Sequence, residues 1–164
     1  MVLNRRLASY NATSTICLQR RRSKVAGSVT CFQTSLIGIR RFELFGFDIT
    51  PIPVEHGNVD TYGYRIDDFG YLPDVKRLPK ESQDLLHGIE VLVIDALSFN
   101  PRHPTHLSVG EALEISAVLK PRETYFTHIM HRLDHRHFPE QCEEMDIELP
   151  DNAYLAYDTQ VIQL

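Results

Sequence analysis

The chain has 164 residues, 43% hydrophobic and 24% charged, a length and balance that suit one soluble domain with a real core. No apolar run reaches the ~20 residues that a membrane helix needs, and three cysteines without CxxC spacing argue for a reduced, cytoplasmic setting and against a disulfide framework or a thiolate zinc knot. The net charge of −5 conceals two compositions: residues 1–42 carry eight basic and no acidic residues, whereas 43–164 hold nine Lys and Arg against all 22 Asp and Glu, a net of −13, together with all eight histidines.

The expected boundary falls between a basic head, residues 1–41, and a folded body, residues 42–164. The head lacks hydrophobic periodicity and reads as a disordered tail or as sequence upstream of the true domain. Two other readings stand beside this. Its Arg-rich, Ser/Thr-rich, acid-free composition also fits a targeting presequence. A phosphate-binding role for nucleic acid is the weakest reading, because the head has no interleaved aromatics and the acidic body repels phosphates.

In the body, "FELFGFDITPIPV" predicts two short strands around Phe45-Gly46, with Pro51 and Pro53 placing the second near a sheet edge. "YGYRIDDFGYL" predicts a hairpin turning at Asp67-Asp68. "PKESQDLLHG" predicts a short helix starting near Pro79 and stopped by Gly88. "IEVLVIDAL" is a continuous β-branched run, as in a strand covered on both faces. "SVGEALEISAVLK" predicts the best helix: Ser108 and Glu111 form a capping box, Leu113, Ala117 and Val118 supply an apolar face, and Pro121 ends it. "ETYFTH" is the next strand, and "AYLAYD" with "QVIQL" predict a closing hairpin at Asp158-Thr159. The fold class is α/β, with a right-handed parallel strand–helix–strand unit from Ile89 to His128.

Four of these strands run into a His or Asp at their C-terminal ends: His56, Asp74, Asp95 and His128. In open α/β sheets the ligand crevice lies outside those ends, so the four can converge from distant positions. Imidazoles and carboxylates suit Zn²⁺, Mn²⁺ or Fe²⁺. Each residue also has a plainer reading. His56 and Asp74 fit turns, Asp95 could bond backbone, and His106 could pack beside the helix cap. His131, Asp134, His135 and His137 fit a solvated segment. His128, His131 and His135 would share a helical face, but His128 ends a strand and HExxH is absent, so the segment reads as one edge of a larger site.

Taken in order, "TPIPVEHG", "GYRIDDFGYLPDV", "VLVIDAL", "HPTHLSVGEAL", "TYFTHIMHRLDH" and "LPDNAYLAYDTQVIQL" resemble the C-terminal half of metallo-β-lactamase-fold hydrolases, closest to the phosphonate-pathway cyclic phosphodiesterases. The resemblance implies a partial αββα sandwich over residues 42–164. It also implies hydrolysis of a small phosphate ester by a metal-bound hydroxide, with Zn or Mn, two per site in the intact family. By the same resemblance His56 is a ligand of the first metal, Asp74 bridges both, and His128 is a ligand of the second. His106 contacts the phosphate or assists the leaving group, and His131 and Asp134 are supporting residues. The superfamily's HxHxDH motif, which supplies four ligands, is absent, and Pro73 stands where relatives carry Ser or Thr. The expectation is therefore a hydrolase half that is inactive alone, or else a non-catalytic remnant that binds metal weakly or needs a partner chain. An uncovered half-sandwich would also favour self-association.

Overall fold

The computed structural model describes the strand Cys17–Gln19 and residues 41–164. The elements in chain order are β1 (Cys17–Gln19), β2 (Phe42–Leu44), β3 (Phe47–His56), β4 (Val59–Ile66), β5 (Phe69–Leu72), α1 (Lys80–Leu85), β6 (Val91–Asp95), α2 (Val109–Leu119), β7 (Glu123–Thr127), α3 (Phe138–Glu144), β8 (Ala153–Leu155) and β9 (Val161–Gln163). β2 to β8 form a seven-stranded sheet in simple chain order; β1 and β9 pair in parallel as a second, two-stranded sheet. This is the α/β class expected from the sequence. The expectation of a disordered head, residues 1–41, falls on residues outside the described ones apart from Arg41 and the strand Cys17–Gln19.

β2 to β5 run antiparallel and β5 to β8 parallel, so β3, β5, β6, β7 and β8 all point the same way. Their C-terminal ends share one end of the sheet. Pro51 and Pro53 fit β3 because of its edge: β2 pairs only Phe47, Asp48 and Ile49, leaving that side of β3 open further on. Glu55, of the same parity as the prolines, sends its N–H away from β4 to the carbonyl of Arg77 at 3.0 Å. The two residues without an N–H thus sit where no ladder donor is required.

β6 is the central strand, buried at all five positions. Its alternation splits the core: Leu92 and Ile94 join the larger cluster with Leu86, Val109, Ala112, Phe126 and Phe138, while Val91 and Val93 join Phe69 and Ile162 on the other face. The helices cover the first face, β9 the second. α1 begins at Pro79 and its chain turns at Gly88, whose φ of 80° only glycine adopts without strain.

Two expectations need correction. The buried face of α2 is Val109, Ala112 and Leu119, with Leu113 packing beside them, whereas Ala117 and Val118 are exposed. The capping box sets the helix's rotation, and at 3.6 residues per turn Ala117 and Val118 then fall on the outer side. The closing hairpin is also absent: β8 pairs in parallel with β7, and β9 pairs with β1. The chain turns at Tyr157–Gln160 and carries Ile162 over the second face, where it is 2% exposed against Phe69, Val91 and Val93. A hairpin would have left that residue at the sheet's edge and the face uncovered.

Candidate functional site

The four strand ends named from sequence do meet. His56 closes β3, Asp74 follows β5, Asp95 closes β6 and His128 follows β7; the loop before α2 brings His106 over them. A ring nitrogen of His56, a carboxylate oxygen of Asp74 and a ring nitrogen of His106 lie within 4.8 Å of one another. His128 Nδ1 lies 3.3 Å from Asp74 Oδ1. The ring centroids of His56 and His128 are 4.5 and 4.4 Å from that of His106.

Asp95 is the buried foundation. It is 0% exposed, accepts the backbone N–H of Val75 at 3.2 Å, and its Oδ2 lies 2.7 Å from His106 Nδ1. Burial pushes its carboxyl up to about 7, against the Val75 N–H and the charge of His128, which favour the anion. His106 is held below the usual histidine range, first by burial and then by neighbouring His56. With Nδ1 engaged by Asp95, Nε2 is the ring nitrogen left for other work.

The donor set fits a divalent metal. Two imidazoles and a carboxylate converge, and His56 Nδ1 is buried with no hydrogen-bond partner among the described residues. A buried polar atom left unpaired costs about 1–3 kcal/mol unless something satisfies it. An ion bound among these side chains is one such partner.

The histidine-rich segment after β7 contributes only His128 to this cluster. His135 Nε2 reaches the Ala156 carbonyl at 2.9 Å, and His137 lies against Asp134 at 3.3 Å, where Asp134 also accepts the N–H of Arg136. These contacts pin a surface turn and the start of α3. Two residues near the site carried little signal in the sequence. His103 lies 5.1 Å from His106, ring to ring, and Lys76 bonds to the His106 carbonyl. Only the short spacing from Asp74 to Lys76 and from His103 to His106 marks them.

The family described as the Beta-lactamase superfamily domain matches residues 8–129, beginning inside the basic head and ending just past His128. The chain belongs to the metallo-β-lactamase superfamily. Within it, a diphosphatase of the PhnP family superposes with a TM-score of 0.66 at 38% identity, over 74% of this chain and 45% of that one. That likeness supports the phosphodiesterase branch. The short form of human tRNase Z shares the fold, with a TM-score of 0.54 at 13% identity over 73% of this chain and 44% of that one. An octanoyltransferase of Porphyromonas gingivalis is 26% identical over 117 residues, 71% of this chain and 23% of that protein. The chain thus spans less than half the length of each of these relatives. Among the described residues no helix is long and apolar enough to cross a membrane.

Proposed function

We propose that this metallo-β-lactamase-superfamily chain serves metal-dependent hydrolysis of a small phosphate ester, phosphodiesterase-like. In this reading His56, Asp74 and His128 hold the metal, Zn or Mn, and His106 faces the phosphate. The carrying observation is the gathering of the site around Asp74: His56 and His106 lie within 4.8 Å of it and of each other, His128 Nδ1 is 3.3 Å from its Oδ1, and His56 Nδ1 is buried and unpaired. The 38% identity to a PhnP-family diphosphatase supports the phosphate chemistry.

A divalent ion bound there would supply Lewis acidity and lower the pKa of a coordinated water. The protein's own part is placement. Asp95 fixes the His106 ring through Nδ1, so Nε2 is the nitrogen that contacts the phosphate or carries a proton to the leaving oxygen. Asp74 lies near His128 and near the His56–His106 pair, and would be the carboxylate that holds a bound metal.

A second reading rests on the absent HxHxDH motif: a non-catalytic remnant, or a chain completed by a partner that brings those ligands. Elemental analysis of protein purified from metal-supplemented medium separates the two, with His56→Ala and Asp74→Ala alongside. Two metals per chain, lost in both variants, together with hydrolysis of bis(p-nitrophenyl) phosphate, support the hydrolase. Little or no metal in the parent chain overturns it and favours the remnant.

A further inference from the structure

Lys76 lies two residues beyond Asp74, and its backbone is fixed on both sides. Its N–H donates to the Glu55 carbonyl at 2.7 Å, beside His56, and the preceding N–H, of Val75, donates to Asp95 at 3.2 Å. Its side chain then spans to the other wall of the site. The ammonium donates to both carboxylate oxygens of Glu111, each at 3.0 Å, and to the main-chain carbonyl of His106 at 3.1 Å. An ammonium has three N–H donors, and three acceptors surround this one.

The arrangement is more than a surface ion pair. The side chains of Lys76 and Glu111 are only 24% and 17% exposed, so the pair gives up hydration and the lysine gives up rotamer freedom. Glu111 is clamped in turn by the Ser108 N–H at 2.8 Å and the Ser108 hydroxyl at 3.1 Å, both on the Oε2 that Lys76 also reaches. The lysine is therefore held by an acceptor that cannot swing away. Its remaining bond goes to the peptide of the histidine over the site. Rotation of that peptide would swing the His106 Cα–Cβ bond, and with it the ring. Asp95 restrains the ring at Nδ1 and Lys76 restrains the backbone; each alone leaves a rotation open.

We propose that Lys76 is a positioning residue for His106: held by Glu111, its ammonium pins the His106 carbonyl and so aims the ring at His56 and Asp74. The proposal rests on the reading that His106 works at this site. It adds to that reading a group whose bonds go to Glu111 and to the His106 main chain.

The test is the ring N–H proton resonance of His106, shifted downfield by its bond to Asp95 and identified by its loss in His106→Gln. Lys76→Met is expected to shift or broaden it, and Lys76→Arg, which keeps a cation able to donate to both partners, to retain it. Ser108→Ala, which loosens the helix cap but keeps the Ser108 N–H on Glu111 and so keeps the lysine's acceptor in place, is expected to retain it too. An unchanged resonance in Lys76→Met overturns the proposal, as does an equal change in Ser108→Ala, which would mean that helix α2 alone sets the loop. Should Lys76→Met fail to fold, Glu111→Gln takes its place. It keeps a capping side chain and removes the charge that holds the lysine, so the same shift is expected and its absence is again decisive. With the metal-loaded chain, Lys76→Met is expected to lower kcat on the order of tenfold or more with KM little changed. A parent chain that hydrolyses no phosphodiester would sink the hydrolase reading, while the resonance still decides the role of Lys76.

Discussion

His128 sits in the left-handed region with φ of 60°, directly after the regular strand β7. A side chain with a Cβ is uncommon there, though histidine tolerates it better than most. The kink turns the chain out of the sheet where the ring meets Asp74 and His106, so the strain lies at the site. Gly57 does a related job beside His56. Its φ is 66°, and an added Cβ would stand 2.6 Å from the Thr105 Cγ2. The close approach lets the His103–His106 loop lie against the end of β3. Gly57→Ala is therefore expected to lower stability by roughly 1–2 kcal/mol in urea unfolding, from the backbone conformation and the clash together. It should also lower phosphodiester hydrolysis by the metal-loaded chain, because the loop that carries His106 must move away from His56.

Helix α2 owes its start to the reciprocal capping box. The Glu111 N–H donates to the Ser108 hydroxyl at 3.3 Å, and the Ser108 N–H to the Glu111 carboxylate at 2.8 Å. Ser108→Ala should cost about 1 kcal/mol, read as a lower urea midpoint with an unchanged slope. α3 packs the buried thiol of Cys142, and burial pushes its pKa from 9.0 up to about 11. The neutral form is the one that fits the core, and a raised pKa means that stability is whole below pH 9 and lost as pH rises toward 11. The loss should reach roughly 2–3 kcal/mol at the upper end of that window. Tyr125, raised to about 12, also titrates in the alkaline range. The measurement is thus a comparison: thermal midpoints between pH 8 and 11 should fall less steeply in Cys142→Ala than in the parent.

Across the whole molecule, the sheet works because β6 is covered on both sides. Phe126 anchors the helical side from neighbouring β7: fully buried, it meets Phe138 edge-on with ring centroids 5.9 Å apart, and Phe138 in turn stacks on Phe99. Phe126→Ala is expected to cost about 3–5 kcal/mol, a large share of the stability of a domain this size, and to leave much of the chain unfolded at 37 °C by circular dichroism. The same sheet serves the site. Because β3, β5, β6 and β7 point one way, a fault in their packing spreads to His56, Asp74, Asp95 and His128 together.

Local chemistry made several elements legible in the sequence. The Ser108–Glu111 box, the Asp67-Asp68 turn, the Gly88 stop and the unbroken apolar run of β6 depend on residues a few positions apart, and such short-range rules are written in residue type and spacing. The convergence of His56, Asp74, Asp95 and His128 was legible for a related reason: all four mark strand ends, and parallel strands bring their ends to one edge. Contacts between distant segments were not legible. Which side of α2 faces the core, the pairing of β9 with β1 and not β8, the close fit of Gly57 under Thr105 and the reach of Lys76 to His106 all arise when the assembled sheet meets what covers it. Pairing and side-chain reach across the fold are settled by burial of whichever apolar surface remains, and neighbours in the sequence do not record it.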